Sequence, residues 1–137
     1  MRPRTAPLLR VLLVDDDPMV LQGLGRALRG IGYTVVSAPD VASARTQLDH
    51  HDFDVVVTDI WMPDGNGLDV FDAIRSSDPD VSVIFFSGET ALPSTLSTSS
   101  RAVRYLAKTA DHAALVGTIE EAGVECRRVR GRRPTGA

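Results

Sequence analysis

The sequence predicts a doubly wound α/β domain, five parallel strands alternating with helices in (βα)5 order, and three observations carry that prediction. Short apolar runs rich in β-branched residues recur along the chain, segments of helical apolar spacing separate them, and the runs are apolar throughout instead of alternating. Strands apolar on both faces belong inside a parallel sheet, because every crossover between parallel strands brings a helix back over one face or the other.

The first run, RVLLV at 10–14, ends on Asp15-Asp16-Asp17. Pro18 then suits the first position of a helix and Asp17 suits its cap. Val20, Leu21, Leu24, Ala27 and Leu28 repeat at helical spacing, and Gly30 with Gly32 can end that helix before the second strand, YTVVSA. Asp40 can cap a second helix through Val41, Ala44 and Leu48. The third strand, Val55-Val56-Val57, stops on Thr58-Asp59 before a turn crowded with Pro and Gly. Leu68, Phe71 and Ile74 mark a third helix, VSVIFFS at 81–87 a fourth strand, and VRYLA at 103–107 a fifth. Asp111 caps a last helix bearing Ala114, Leu115, Ile119 and Ala122.

Between the fourth and fifth strands lies STLSTSS at 94–100, six hydroxyl residues in seven behind Pro93. Hydroxyl side chains compete for the backbone, so the fourth helix is expected to be weak, short or missing.

One domain accounts for most of the 137 residues, and 43% hydrophobic content is enough for a core. The expected organisation is an N-terminal extension over 1–8, a domain over 9–123, and a basic tail or linker over 124–137 that starts as the end of a helix and runs into a disordered or linker segment. Nothing after 123 has the length for a further domain, so the chain reads either as a single-domain protein or as the first part of a longer one. No membrane span or signal peptide is legible, which points to the cytoplasm. Cys126 is the only cysteine, excluding an internal disulfide and a cysteine-based zinc cluster.

The net charge of −3 conceals an asymmetry. Residues 1–10 carry +3 and residues 124–137 carry +4, so the body between them carries −10. So acidic a body argues against direct nucleic-acid binding and suits a domain that holds cations. Fourteen of the fifteen basic residues are Arg, and the one Lys is Lys108. A solitary Lys marks a place that wants a compact ammonium on a flexible stem. The three histidines, His50, His51 and His112, have no partners at metal-ligand spacing and read as surface residues.

In a doubly wound sheet, ligands sit at the carboxyl ends of the strands. Asp15 and Asp16 end the first strand, Asp59 the third, Ser87 the fourth, and Lys108 follows the fifth, so all five converge on one edge. Carboxylates that close repel one another unless a cation sits among them, and hard oxygen ligands favour Mg²⁺ over zinc. A metal, an ammonium and a hydroxyl around a free carboxylate suit phosphoryl transfer, whose requirement is charge placed around the moving group.

With LLVDDDP, VVVTDIWMPDGNGLDV, FFSGE and RYLAK in this order and spacing, residues 9–123 resemble the receiver domain of bacterial two-component response regulators. The resemblance implies a flavodoxin-like fold and a phosphoacceptor role for Asp59, fed by a sensor histidine kinase or a histidine phosphotransfer protein. It implies Mg²⁺ on Asp16, Asp59 and the backbone carbonyl of Trp61, with Asp15 acting through water. Ser87 and Lys108 would bind phosphoryl oxygens, and Tyr105 would turn inward as the Ser87 hydroxyl moves. The output would be a downstream protein partner or a linked effector domain, engaged through the face of the fourth helix, fifth strand and last helix. A homodimer through the same face is open.

Two positions depart from the family. Pro usually follows the lysine with a cis bond, and here Thr109 stands there; a non-proline cis bond costs roughly 3 to 4 kcal/mol, so the bond is expected to be strained or to have become trans and re-aimed Lys108. Arg101 replaces a Gly that commonly precedes the fifth strand. Two rival functions remain: a receiver-like adaptor that takes no phosphate, and a haloacid-dehalogenase-like phosphatase with Asp15 as nucleophile. The second leaves Asp59 without a role.

Overall fold

The computed structural model describes residues 8–62, 65–78, 80–88 and 103–131. Its main sheet is built from β1 (Arg10–Val14), β2 (Thr34–Ala38), β3 (Val55–Thr58), β6 (Ser82–Ser87) and β7 (Val103–Ala107), all parallel in the order β2-β1-β3-β6-β7. Between β3 and the third helix, β4 (Trp61–Met62) and β5 (Gly65–Asn66) form a small antiparallel pair that the sequence reading did not foresee. The helices are α1 (Pro18–Ile31), α2 (Val41–His50), α3 (Gly67–Ser77) and α4 (His112–Gly131). The fold is the doubly wound, flavodoxin-like one expected. The segment read as a weak fourth helix, with Arg101, lies outside the described residues.

Period-two alternation divides the strands between two cores. Leu12, Val14, Val56, Val83 and Phe85 pack with Val41, Ala44 and Leu48 of α2 and Ile74 of α3. Val11, Leu13, Val55, Val57, Ile84 and Phe86 face the other way, onto Leu24 and Leu28 of α1 and Leu115, Ile119 and Ala122 of α4. A strand covered on both faces has no polar side, which is why these runs carry no alternation.

The caps follow the sequence closely. Asp17 caps α1 by accepting from the Met19 amide at 2.9 Å, with Pro18 at the first helical position. Asp40 accepts from Ser43 at 2.7 Å and Asp111 from Ala114 at 2.8 Å. Gly32, not Gly30, ends α1, with a φ of 110° that side chains disfavour. The last helix runs past residue 123, where the domain was expected to end, as far as Gly131.

Candidate functional site

Parallel strands all expose their carboxyl ends at one edge, and there the chain gathers three of its acids. Asp15 follows β1 and donates its amide to Ala38 at 3.1 Å; Asp59 follows β3 and donates its amide to Val14 at 3.0 Å. These bonds continue the ladders one residue beyond the strands, so the backbones of both acids are fixed by the sheet. Asp16, next in the chain after Asp15, is exposed. One carboxylate oxygen from each of Asp15, Asp16 and Asp59 lies within 4.8 Å of the others.

Lys108 enters from the fifth strand of the sheet. Its Nζ lies 2.7 Å from Asp15 Oδ2 and 2.9 Å from Asp59 Oδ2. Burial alone would lower the ammonium's pKa, but the hydrogen bonds to Asp15 and Asp59 and their charges outweigh it and hold the group above the ordinary lysine value. The Lys108 amide donates to the Ser87 carbonyl at 2.9 Å, which places the buried Ser87 beside the lysine. No cis bond occurs among the described residues, so Lys108–Thr109 is trans. A tight turn, closed by the Ala110 amide on the Ala107 carbonyl at 2.9 Å, carries Lys108 to the acids without proline. The aim of the lysine thus survives the substitution.

The remaining candidates stand further out. Trp61 opens β4, two residues beyond Asp59. Tyr105 lies half-buried on β7, stacked on Phe85 with ring centroids 5.5 Å apart, and burial raises its phenol pKa. His50, His51 and His112 are exposed. One positioning contact was not foreseen: the Asp17 amide donates to Asp15 Oδ1 at 2.9 Å, while Lys108 takes the other oxygen. The Asp-Asp-Asp-Pro turn was its only signal in the sequence.

Residues 11–120 match the model of the response regulator receiver domain. The chain belongs to that family. It is 33% identical over 113 residues to the transcriptional regulatory protein GlrR of Escherichia coli (strain K12), covering 82% of this chain and 26% of that protein. It is 33% identical over 119 residues to the DNA-binding transcriptional regulator NtrC of Rhizobium meliloti, covering 86% of this chain and 25% of that one. The chain thus spans about a quarter of the length of these relatives. Among solved structures, the response regulator TrrA of Thermotoga maritima, in complex with Mg²⁺ and BeF, superposes with a TM-score of 0.74 at 28% identity, over 84% of this chain and 99% of that one.

This is therefore a receiver domain of two-component signal transduction, a signalling domain whose family carries a phosphoryl group on aspartate and binds Mg²⁺. The family match does not favour the dehalogenase-like reading. Among the described residues no helix is long and apolar enough to cross a membrane.

Proposed function

We propose that Asp59 is the phosphoacceptor of this domain and takes its phosphoryl group from a phosphohistidine on a sensor kinase or phosphotransfer protein. The observation that carries this reading is the Lys108 ammonium set between Asp15 and Asp59 where three carboxylates meet. Among the described residues of this cluster one positive charge meets three negative, a surplus of two that a divalent cation balances, and hard oxygen donors fit Mg²⁺. Asp16, Asp59 and the Trp61 carbonyl would hold the ion, with Asp15 reaching it through water. When bound, Mg²⁺ supplies positive charge to the phosphoryl oxygens.

In the transfer, an Asp59 oxygen forms the new P–O bond as the donor's N–P bond breaks, and the imidazole leaves with its electron pair and is reprotonated. Lys108 swings its ammonium from the carboxylates to a phosphoryl oxygen, and the Ser87 hydroxyl donates to another. Water later cleaves the acyl phosphate, so the domain takes part in its own dephosphorylation. Tyr105 follows the Ser87 hydroxyl inward, and the change is read on the output face by a protein partner or a linked effector domain. The domain works in the cytoplasm beside its kinase.

The deciding experiment is incubation with Mg²⁺ and a small acyl phosphate, with intact mass read for wild type, Asp59→Asn and Asp15→Asn. One phosphoryl adduct that disappears in Asp59→Asn is expected. Labelling that survives Asp59→Asn but is lost in Asp15→Asn would overturn the assignment, and no labelling of wild type would favour the adaptor.

A further inference from the structure

At the amino end of the sheet, opposite the site, lies a second charged cluster that phosphoryl chemistry does not use. Asp54, 5% exposed at the foot of β3, accepts from the Arg10 amide at 2.9 Å and from Arg127 Nε and Nη2, each at 3.1 Å. Arg127 Nη2 also donates to the Leu8 carbonyl at 2.6 Å. One turn later Arg130 Nη2 donates to the Phe53 carbonyl at 2.7 Å and pairs with Asp78, while its Nη1 lies 3.6 Å from Asp54. Two arginines of α4 thus bind the approach to β1, the foot of β3 and the end of α3.

Helix length makes this contact matter. Twenty residues at about 1.5 Å each carry α4 about 30 Å, whereas strands of four to six residues span only about 13 to 20 Å. The helix starts beside Lys108 and overruns the sheet. Its overrun would be a loose helical end, yet Cys126 is 1% exposed and Gly123 lets the helix so close to Leu9 that a Cβ there would fall 2.4 Å from Leu9 Cδ1.

We propose that Asp54, Arg127, Arg130 and Asp78 form a latch that makes residues 124–131 a rigid arm of the domain, fixing where and in which direction the following chain leaves it. A partner or domain joined beyond Gly131 is then held at a set distance from Asp59, at the far end of a rod that begins next to Lys108. A linker free from residue 124 would instead transmit no orientation.

The test is hydrogen exchange on the full chain, comparing wild type with Arg127→Gln/Arg130→Gln and with Asp54→Asn. Amides 124–131 are expected to be protected in wild type and to exchange at least about ten-fold faster in both variants, while β1, β3 and acyl-phosphate labelling of Asp59 are retained. Free-peptide exchange of 124–131 in wild type would overturn the latch, as would unchanged protection in the double Arg variant. Should Asp54→Asn lose protection throughout, the double Arg variant decides, because Arg127 is 42% exposed and leaves no cavity in the core. Loss of labelling without loss of protection would count against the phosphoacceptor reading alone.

Discussion

The two ends of the sheet use the same residue types for opposite ends. At the amino end Asp54 and Asp78 meet Arg127 and Arg130, two carboxylates against two guanidiniums, each carboxylate hydrogen-bonded and each charge answered. At the carboxyl end Asp15, Asp16 and Asp59 gather, Lys108 reaches two of them, and Asp16 is exposed. A balanced cluster holds elements together, whereas an acid-rich one is suited to take up a cation, as the function proposed above requires. Strand β3 joins the two, with Asp54 before it and Asp59 after it.

Neutralising an acid should therefore have opposite consequences at the two ends. Asp59→Asn is expected to abolish phosphoryl uptake by intact mass while leaving urea stability unchanged or raised, since it relieves repulsion between carboxylates. Asp54→Asn is expected to keep the uptake and cost about 2 kcal/mol in urea unfolding, because it removes the charge of a buried acceptor that holds the Arg10 amide and Arg127. A large stability loss from Asp59→Asn with none from Asp54→Asn would reverse the comparison.

How far each end was legible follows from the range of its interactions. The carboxyl end could be read because topology alone brings strand ends together, so Asp15, Asp16, Asp59, Ser87 and Lys108 needed only their strands to be placed. The strands were legible because VVV and VIFF leave no polar face to expose. The amino end was missed because no motif singles out Asp54, and ECRRVRGRRPTGA reads as a helix end running into a basic linker. A signal was present: Leu115, Ile119, Ala122 and Cys126 continue one buried stripe past residue 123. What the spacing could not show is that Arg127 would find Asp54, 73 residues away. Likewise Thr109 announced a change in the lysine loop, but only the turn closed at Ala110 shows that Lys108 keeps its aim.

The amino end should also respond to alkali. Burial, against the opposing pull of Arg130, pushes the Cys126 thiol from 9.0 up to about 11. A group raised on folding stabilises fully below its unfolded pKa and loses that contribution as pH climbs through the folded one, so the window is pH 9 to 11. The contribution is about 2 kcal/mol. Lys108 and Tyr105, also raised, act in the same direction at higher pH. Urea midpoints measured from pH 8 to 11 should fall more steeply in wild type than in Cys126→Ala; equal slopes would remove the thiol from the account.

The smallest expected effect sharpens the charge argument at the carboxyl end. Lys108→Ala removes the one ammonium lying between Asp15 and Asp59, so a divalent cation no longer enters against a positive charge. Mg²⁺ is expected to bind about ten-fold more tightly, roughly 1.4 kcal/mol, a modest value because the site is partly open to water. Phosphoryl uptake should nevertheless slow, since the ammonium is then missing from the transferring group. Tighter metal binding with slower transfer would separate the two roles proposed for Lys108, counter-ion at rest and phosphoryl ligand in transfer. Metal titration by Asp15 and Asp16 chemical shifts reads the first, and the rate of adduct formation at saturating Mg²⁺ reads the second. Unchanged Mg²⁺ affinity would mean that the lysine already stands aside when the cation arrives, and the surplus charge of the three aspartates would then act alone.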